Sequence, residues 1–227
     1  MPPALAGARA AVFDAYGTLF DVASAARAAS DVLGPQWQPL SDLWRQKQLQ
    51  YTWLRALMGR HADFWQVTAD ALDFALESLS LADPALRDQL LEAYGRLGPY
   101  PDAATALLAL RAAGLKTAIL SNGAPRMLAS AARSARLDGL LDEILSVEEV
   151  GVYKPHPSVY RLACDRLGVW PAEVIFVSAN GWDAWGAKAF GLRVAWCNRA
   201  GQPRERLGEP PDVEVRSLAE LPELVGA

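Results

Sequence analysis

Short apolar runs that end in polar residues, separated by stretches of helical pattern, constrain this chain more than any other feature. Arg9-Ala-Ala-Val-Phe13 is uninterrupted and ends in Asp14, after which Gly17 and Thr18 break it. Similar runs follow at Lys116–Leu120, Val174–Val177 and Arg193–Cys197, with a weaker one at Glu143–Leu145. Runs of this length without polar alternation predict strands buried on both faces. Between them, Pro101–Ala113 is closed by Gly114, Pro157–Leu167 by Gly168 and Trp182–Phe190 by Gly191, while Pro125–Ala135 opens on a proline. Proline in a first helical turn and glycine past a last one is the expected asymmetry. Strands alternating with helices of about ten residues predict βαβ units and a parallel sheet, hence an α/β fold with a Rossmann-like core.

One interval breaks the alternation. Between Asp21 and Gly98 there is no strand pattern. Leu40, Leu43, Trp44, Tyr51, Leu54 and Met58 mark one helix, Phe64, Val67, Ala71 and Phe74 a second, and Leu86, Leu90 and Ala93 a third. Such a stretch is too long for an ordinary crossover. It predicts a helical cap domain (21–97) inserted after strand one into a core made of 1–20 and 98–227. Four of the eight Trp (Trp37, Trp44, Trp53, Trp65) fall in this insert, as cap core or as a dimer surface. The stretch Ala200–Asp212 reads as a solvated loop before a short C-terminal element.

Composition narrows the chemistry. A formal charge of -4 with no basic block argues against neutralising nucleic-acid phosphates. The 52% hydrophobic content is too high for a disordered chain. No run approaches the roughly 20 apolar residues of a membrane span, and the first residues lack a basic-then-apolar targeting pattern. The expectation is a cytoplasmic protein with neither a nucleic-acid nor a membrane partner. Cys164 and Cys197 are far apart and form no zinc set or disulfide framework. Of the two histidines, His61 and His156, the latter has no motif partner and reads as a loop residue. An enzyme on this chain would work with carboxylates, hydroxyls, Arg and its four Lys.

In an open parallel sheet, ligands bind beyond the carboxyl ends of the strands. Here those ends carry Asp14, then Ser121-Asn122-Gly123, then Ser178-Ala179-Asn180 with Asp183 a helical turn further on, and Lys154 lies between the last two. A lone Asp at a strand end is usually a cap or turn former. Several converging ends with an acid, a cation and hydrogen-bonding groups predict one pocket.

These segments resemble a known group. FDAYGTLFD (13–21), ILSNG (119–123), VYKP (152–155) and VSANGWD (177–183) are similar to the four ordered motifs of the haloacid dehalogenase superfamily. Tyr16, the last motif and WRQKQLQYTWLRALM (44–58) look most like its L-2-haloacid dehalogenases. The resemblance covers nearly the whole chain and implies a hydrolase acting on carbon–halide bonds. It implies Asp14 as nucleophile on C2 of a small 2-haloacid, with Lys154 beside it. Arg45 would reach down from the cap to the departing halide, with Asn122 and the aromatic neighbours Tyr16, Phe64 and Trp182. Leu49 would line an apolar wall and Ser121 would receive the substrate carboxylate. Thr18 would hold Asp14, a helix N-cap being its other reading. Asp183 would pair with Lys154 and place the hydrolytic water with Ser178 and Asn180, and Tyr160 would hydrogen-bond into the site. The resemblance also implies no cofactor and a homodimer formed through the cap.

The departures from the wider superfamily point the same way. Its phosphatases carry a second Asp two positions after the nucleophile to protonate the leaving alkoxide. Here that position is Tyr16, whose free pKa is ~10. A halide needs no proton on leaving. The phosphatases also bind Mg²⁺ through an acidic pair in the last motif, and Ala179 replaces the first acid here. A hard cation needs several oxygen ligands. The expectation is metal-free attack on carbon; a phosphatase with altered metal binding and a catalytically silent binding protein are the other readings.

Overall fold

The computed structural model describes residues 4–226. Six strands form one sheet, β1 (Ala10–Phe13), β2 (Lys116–Ser121), β3 (Glu143–Ser146), β4 (Val174–Ser178), β5 (Arg193–Cys197) and β6 (Val213–Val215). They lie in the order β3-β2-β1-β4-β5-β6 and every neighbouring pair is parallel. The central strands β1 and β4 are buried along their whole length, which is why both are apolar runs without alternation. The chain winds outwards in both directions from these two, so the crevice of a doubly wound sheet opens between their carboxyl ends. Phe13 is in register with Val177, and the amide of Asp14 continues the ladder to the carbonyl of Val177 at 2.9 Å.

Ten α-helices flank the sheet or cover its edge: α1 (Ser24–Arg27), α2 (Ser30–Leu33), α3 (Trp37–Leu57), α4 (Phe64–Ser78), α5 (Pro84–Tyr94), α6 (Ala103–Ala112), α7 (Pro125–Ser134), α8 (Pro157–Leu167), α9 (Gly181–Phe190) and α10 (Leu221–Val225). Helices α1 to α5 form the cap inserted after β1. The two crossings between core and cap run side by side. The Asp21 amide donates to Gly98 O at 3.0 Å, the Tyr100 amide donates to Leu19 O at 2.8 Å, and Phe20 bridges Pro99 antiparallel.

Local chemistry explains where the helices start and stop. Asp63 and Asp83 cap α4 and α5, accepting from the amides of Gln66 (2.9 Å) and Ala85 (2.8 Å). Helix α8 ends at Gly168 and α9 at Gly191, both with positive φ. His156, expected to be a loop residue, lies in the loop before α8 and also caps that helix by accepting from the Ser158 amide at 3.3 Å.

Two expectations are corrected. Leu54 and Met58, placed on the apolar stripe of α3, are 44% and 63% exposed. The buried row of that helix is Leu40, Trp44, Gln48 and Thr52. Its two polar members are hydrogen-bonded inside the cap, so burial there follows satisfied polar groups rather than apolar residues. The C-terminal element contains a strand, β6, as well as a helix; three residues are too few to carry a period.

Candidate active site

Asp14 stands at the end of β1, only 6% exposed, with each carboxylate oxygen held. Its Oδ2 accepts from Thr18 Oγ1 at 3.0 Å and Asn180 Nδ2 at 2.7 Å, and its Oδ1 from Lys154 Nζ at 3.1 Å. Gly17, at φ +92°, lets the chain fold back sharply enough for Thr18 to reach the acid four residues earlier. No helix starts at Thr18, so the N-cap reading falls away. Its hydroxyl accepts from the Ala179 amide at 2.8 Å, so its single proton is directed to Asp14.

Lys154 is fully enclosed, and its ammonium lies 3.1 Å from Asp14 and 2.8 Å from Asp183. Burial works against the charge, but the two carboxylates outweigh it and raise the pKa above the ordinary lysine value. Asp183 is also fully buried, and Tyr160 OH donates to its Oδ1 at 2.8 Å. Burial pushes the Asp183 carboxyl up to about 6, against the opposing pull of Lys154. Burial likewise raises the Tyr160 phenol well above 10, which keeps it a donor. The close packing around Tyr160 depends on Gly186, where a Cβ would lie 2.7 Å from the phenol oxygen.

Arg45 descends from α3 onto this group. Its Nη2 donates to Tyr16 O and to Asn180 Oδ1, both at 3.2 Å, and its Nη1 to Gln48 Oε1 at 2.7 Å. Asn180 therefore touches the acid of the core with its nitrogen and the cation of the cap with its oxygen. The Tyr16 ring packs against Phe64 (centroids 5.4 Å apart) and stacks on Tyr94 (5.7 Å). It also fills the space over Gly123, where a Cβ would meet it at 2.6 Å. Burial raises the Tyr16 phenol well above its ordinary pKa.

The other expected residues divide into two groups. Asn122 is buried at the end of β2 and fixes the Lys154 backbone, accepting from its amide at 3.0 Å. Ser121 Oγ is buried beside it and accepts from the Gly123 amide at 3.0 Å. Leu49 is half-buried one turn beyond Arg45, and the half-buried Trp182 stands edge-on to Trp53 of the cap, 5.4 Å between centroids. Ser178 is not brought onto the acids: its hydroxyl bonds only the backbone of Asn180, shaping the loop that aims Asn180.

The donor set does not fit Mg²⁺. Both oxygens of Asp183 are engaged by Lys154 and Tyr160, Ala179 offers no side-chain oxygen, and an ammonium stands between the two acids. Among the described residues no group of three or more His, Cys, Asp or Glu is arranged to hold a metal.

Sequence reasoning did not find Gln48, Thr68 and Tyr94, which surround Arg45 inside the cap, or Arg199. That arginine donates to Thr18 O at 3.2 Å and pairs with Asp102 at 2.8 and 2.9 Å. The one local signal was the polar Gln48 on the same row as Leu40 and Trp44.

A buried carboxylate at the switch point of a doubly wound sheet, under an inserted helical cap, is the arrangement of a hydrolase with an aspartate at its centre. The sequence pattern of the haloacid dehalogenase-like hydrolases matches residues 8–191, and the chain belongs to this family, within its L-2-haloacid dehalogenases. It is 52% identical over 218 residues to (S)-2-haloacid dehalogenase 1 of Pseudomonas sp. (strain CBS-3), covering 96% of each chain. A crystal structure of a dehalogenase with an intermediate complex superposes with a TM-score of 0.95 at 48% identity, over 98% of this chain and 99% of that one. The L-2-haloacid dehalogenase of Xanthobacter autotrophicus with chloropropionic acid covalently bound superposes with a TM-score of 0.89 at 45% identity, over 96% and 98%.

Proposed function

We propose that this protein hydrolyses L-2-haloacids to D-2-hydroxyacids, with inversion at C2, through an ester on Asp14 and without a metal. The observation that carries this reading is that Asp14 is bonded to one cation, Lys154, and linked through Asn180 to a second, Arg45 of the cap. A substrate carboxylate brought to about 4 Å from Asp14 is repelled by roughly 4 kcal/mol in a partly screened site. The cations offset this, and the Ser121 hydroxyl with nearby amides receives the substrate carboxylate.

Asp14 attacks C2 from the side opposite the halogen, the carbon–halogen bond breaks, and the halide leaves against Arg45, Asn122 and the aromatic wall of Tyr16, Phe64 and Trp182. Leu49 lines the substrate side chain. No proton is needed, so a tyrosine at position 16 does no harm where a phosphatase needs its acid. Water then attacks the carbonyl carbon of the Asp14 ester and passes a proton to Asp183. The bond from that carbon to the substrate oxygen breaks, and the leaving alkoxide takes that proton as the hydroxyacid. Asp14 returns to its carboxylate by losing the second proton to solvent. Asp183, held by Lys154 and Tyr160, and Asn180 place that water, and Lys154 stabilises the oxyanion that develops on the ester. The second step leaves C2 untouched, so the inversion of the first step survives in the product.

The same reading treats 21–97 as a cap domain on a core of 1–20 and 98–227, and makes the protein a cytoplasmic homodimer through its cap, where Val32, Leu54, Leu57, Met58 and Trp65 are exposed. No described helix is long and apolar enough to cross a membrane.

The test measures halide release from each enantiomer of 2-chloropropionate with EDTA present, beside phosphate release from a generic ester with Mg²⁺. Chloride from the L enantiomer alone, insensitive to EDTA, is expected; phosphate turnover without halide release would overturn the reading. In a single turnover in isotopic water, label should enter Asp14 before it enters product.

A further inference from the structure

We infer that Gln48 is a positioning residue that aims the halide contacts of the cap, an inference that rests on the dehalogenase reading above. Gln48 lies one turn beyond Arg45 on α3 and is 1% exposed. A primary amide buried this deeply must find partners for its oxygen and both its hydrogens, and here all three are placed. Its Oε1 accepts from Arg45 Nη1 at 2.7 Å. Its Nε2 donates to Thr68 Oγ1 at 2.7 Å and to Tyr94 OH at 3.0 Å.

The direction of this amide is set by chemistry. Thr68 gives its only hydroxyl proton to Phe64 O, 2.6 Å away and one turn back on α4. Towards Gln48 it can therefore only accept. The amide nitrogen must face Thr68, and the amide oxygen must face the guanidinium. An opposite orientation would set two donors against each other at Arg45 and two acceptors against each other at Thr68.

The relay has a functional shape. It joins Arg45 to the turn that carries Phe64. Through Tyr94, whose ring stacks on Tyr16 at 5.7 Å, it also reaches a second aromatic contact. One amide thus ties together side chains from α3, α4 and α5. Arginine carries about 2 kcal/mol of rotamer entropy, and a contact misplaced by about 1 Å can cost 10²-fold in rate. Gln48 takes up one side of the guanidinium and turns Nη2 towards the core.

The test is the leaving-group dependence of the first chemical step. Gln48→Met keeps the length and removes every hydrogen bond. Halide release from L-2-chloropropionate and L-2-bromopropionate is followed in single turnovers, with the Tm alongside. Chloride, the poorer leaving group, depends more on its stabiliser. Its release should fall by about 10²-fold and bromide release by less, so the bromide-to-chloride ratio widens. Thr68→Val, which removes the acceptor, should widen it in the same sense, and Thr68→Ser should restore the parent ratio. An unchanged ratio in Gln48→Met overturns the inference, whatever happens to the Tm. If Gln48→Met does not fold, equal ratios in the Val and Ser variants of Thr68 overturn it instead. Halide release with an unmoved ratio leaves the dehalogenase reading standing, whereas no halide release from the parent protein sinks both.

Discussion

Asp183 carries the pH dependence of the site, because burial and its ion pair oppose each other there. Its carboxyl is raised from 3.8 to about 6, so it is ionised at neutral pH yet more basic than an exposed aspartate. Two effects follow with opposite signs. The stability contributed by its protonated form is fully present below 3.8 and is lost as pH rises through about 6. In the mechanism proposed above, the ability of Asp183 to place and activate water is gained over the same rise. The rate of ester hydrolysis should therefore fall on the acid side of a kcat–pH profile, with a midpoint below the free-enzyme value of about 6, because the ester removes the Asp14 charge that helps to raise Asp183. Asp183→Asn should still release halide in a first turnover and then stall, with the substrate ester on Asp14 visible by mass spectrometry. Lys154 behaves differently: its pKa is raised, so its cation and the stability it brings persist below 10.5 and are lost only as pH rises through that higher value.

The strands and helices show which local signals carry structure. Helix α8 matches the sequence reading at both ends because Pro157 opens it and Gly168 takes the left-handed conformation that ends it. Strands β1 and β4 were readable as apolar runs because both faces are covered. The polar side chains gathered around Asp14 were readable as a group because several sit just beyond the strands, where polarity interrupts hydrophobicity. Gln48, Thr68, Tyr94 and Arg199 were not, because each is an ordinary polar or aromatic residue whose partner is distant in the chain. Arg199, just past β5, illustrates the point. It clamps both crossings between core and cap, holding Thr18 O on one side and Asp102 on the other, with Tyr100 under its guanidinium at 4.2 Å. Asp102 also accepts from Ser217 Oγ at 2.7 Å and the Leu218 amide at 2.9 Å, drawing in the C-terminal segment. Hydrogen bonds to a charged group contribute about 1.5–3 kcal/mol. Asp102→Ala should lower stability by roughly 2 kcal/mol in urea denaturation and reduce kcat by loosening the turn that holds Thr18 against Asp14.

The protein as a whole is in a closed arrangement. Asp14 is 6% exposed, Trp53 of the cap meets Trp182 of the core, and His61 lies 2.9 Å from Glu148 across the same seam. Tyr153 OH of the core donates to Ala62 O of the cap nearby. The paired crossings at Asp21–Gly98 and Leu19–Tyr100 join the two parts beside this seam. Tyr153→Phe removes one contact across this seam. A neutral hydrogen bond is worth about 1 kcal/mol, so KM should rise roughly fivefold with a small change in Tm.

The hydrogen bonds of Arg45 to Tyr16 O and Asn180 Oδ1 have a consequence for how the enzyme meets salt. These two oxygens of the core already take up the guanidinium. A dissolved chloride ion would have to shed its water and displace those oxygens, with no attachment elsewhere to compensate. A halogen on carbon arrives nearly unhydrated and is held in place by the rest of its molecule. In the mechanism proposed above, a site at Arg45 would therefore discriminate against released halide, and turnover of a 2-haloacid should be little affected by chloride at concentrations that screen the surface ion pairs of the protein, as initial rates across a sodium chloride series would record.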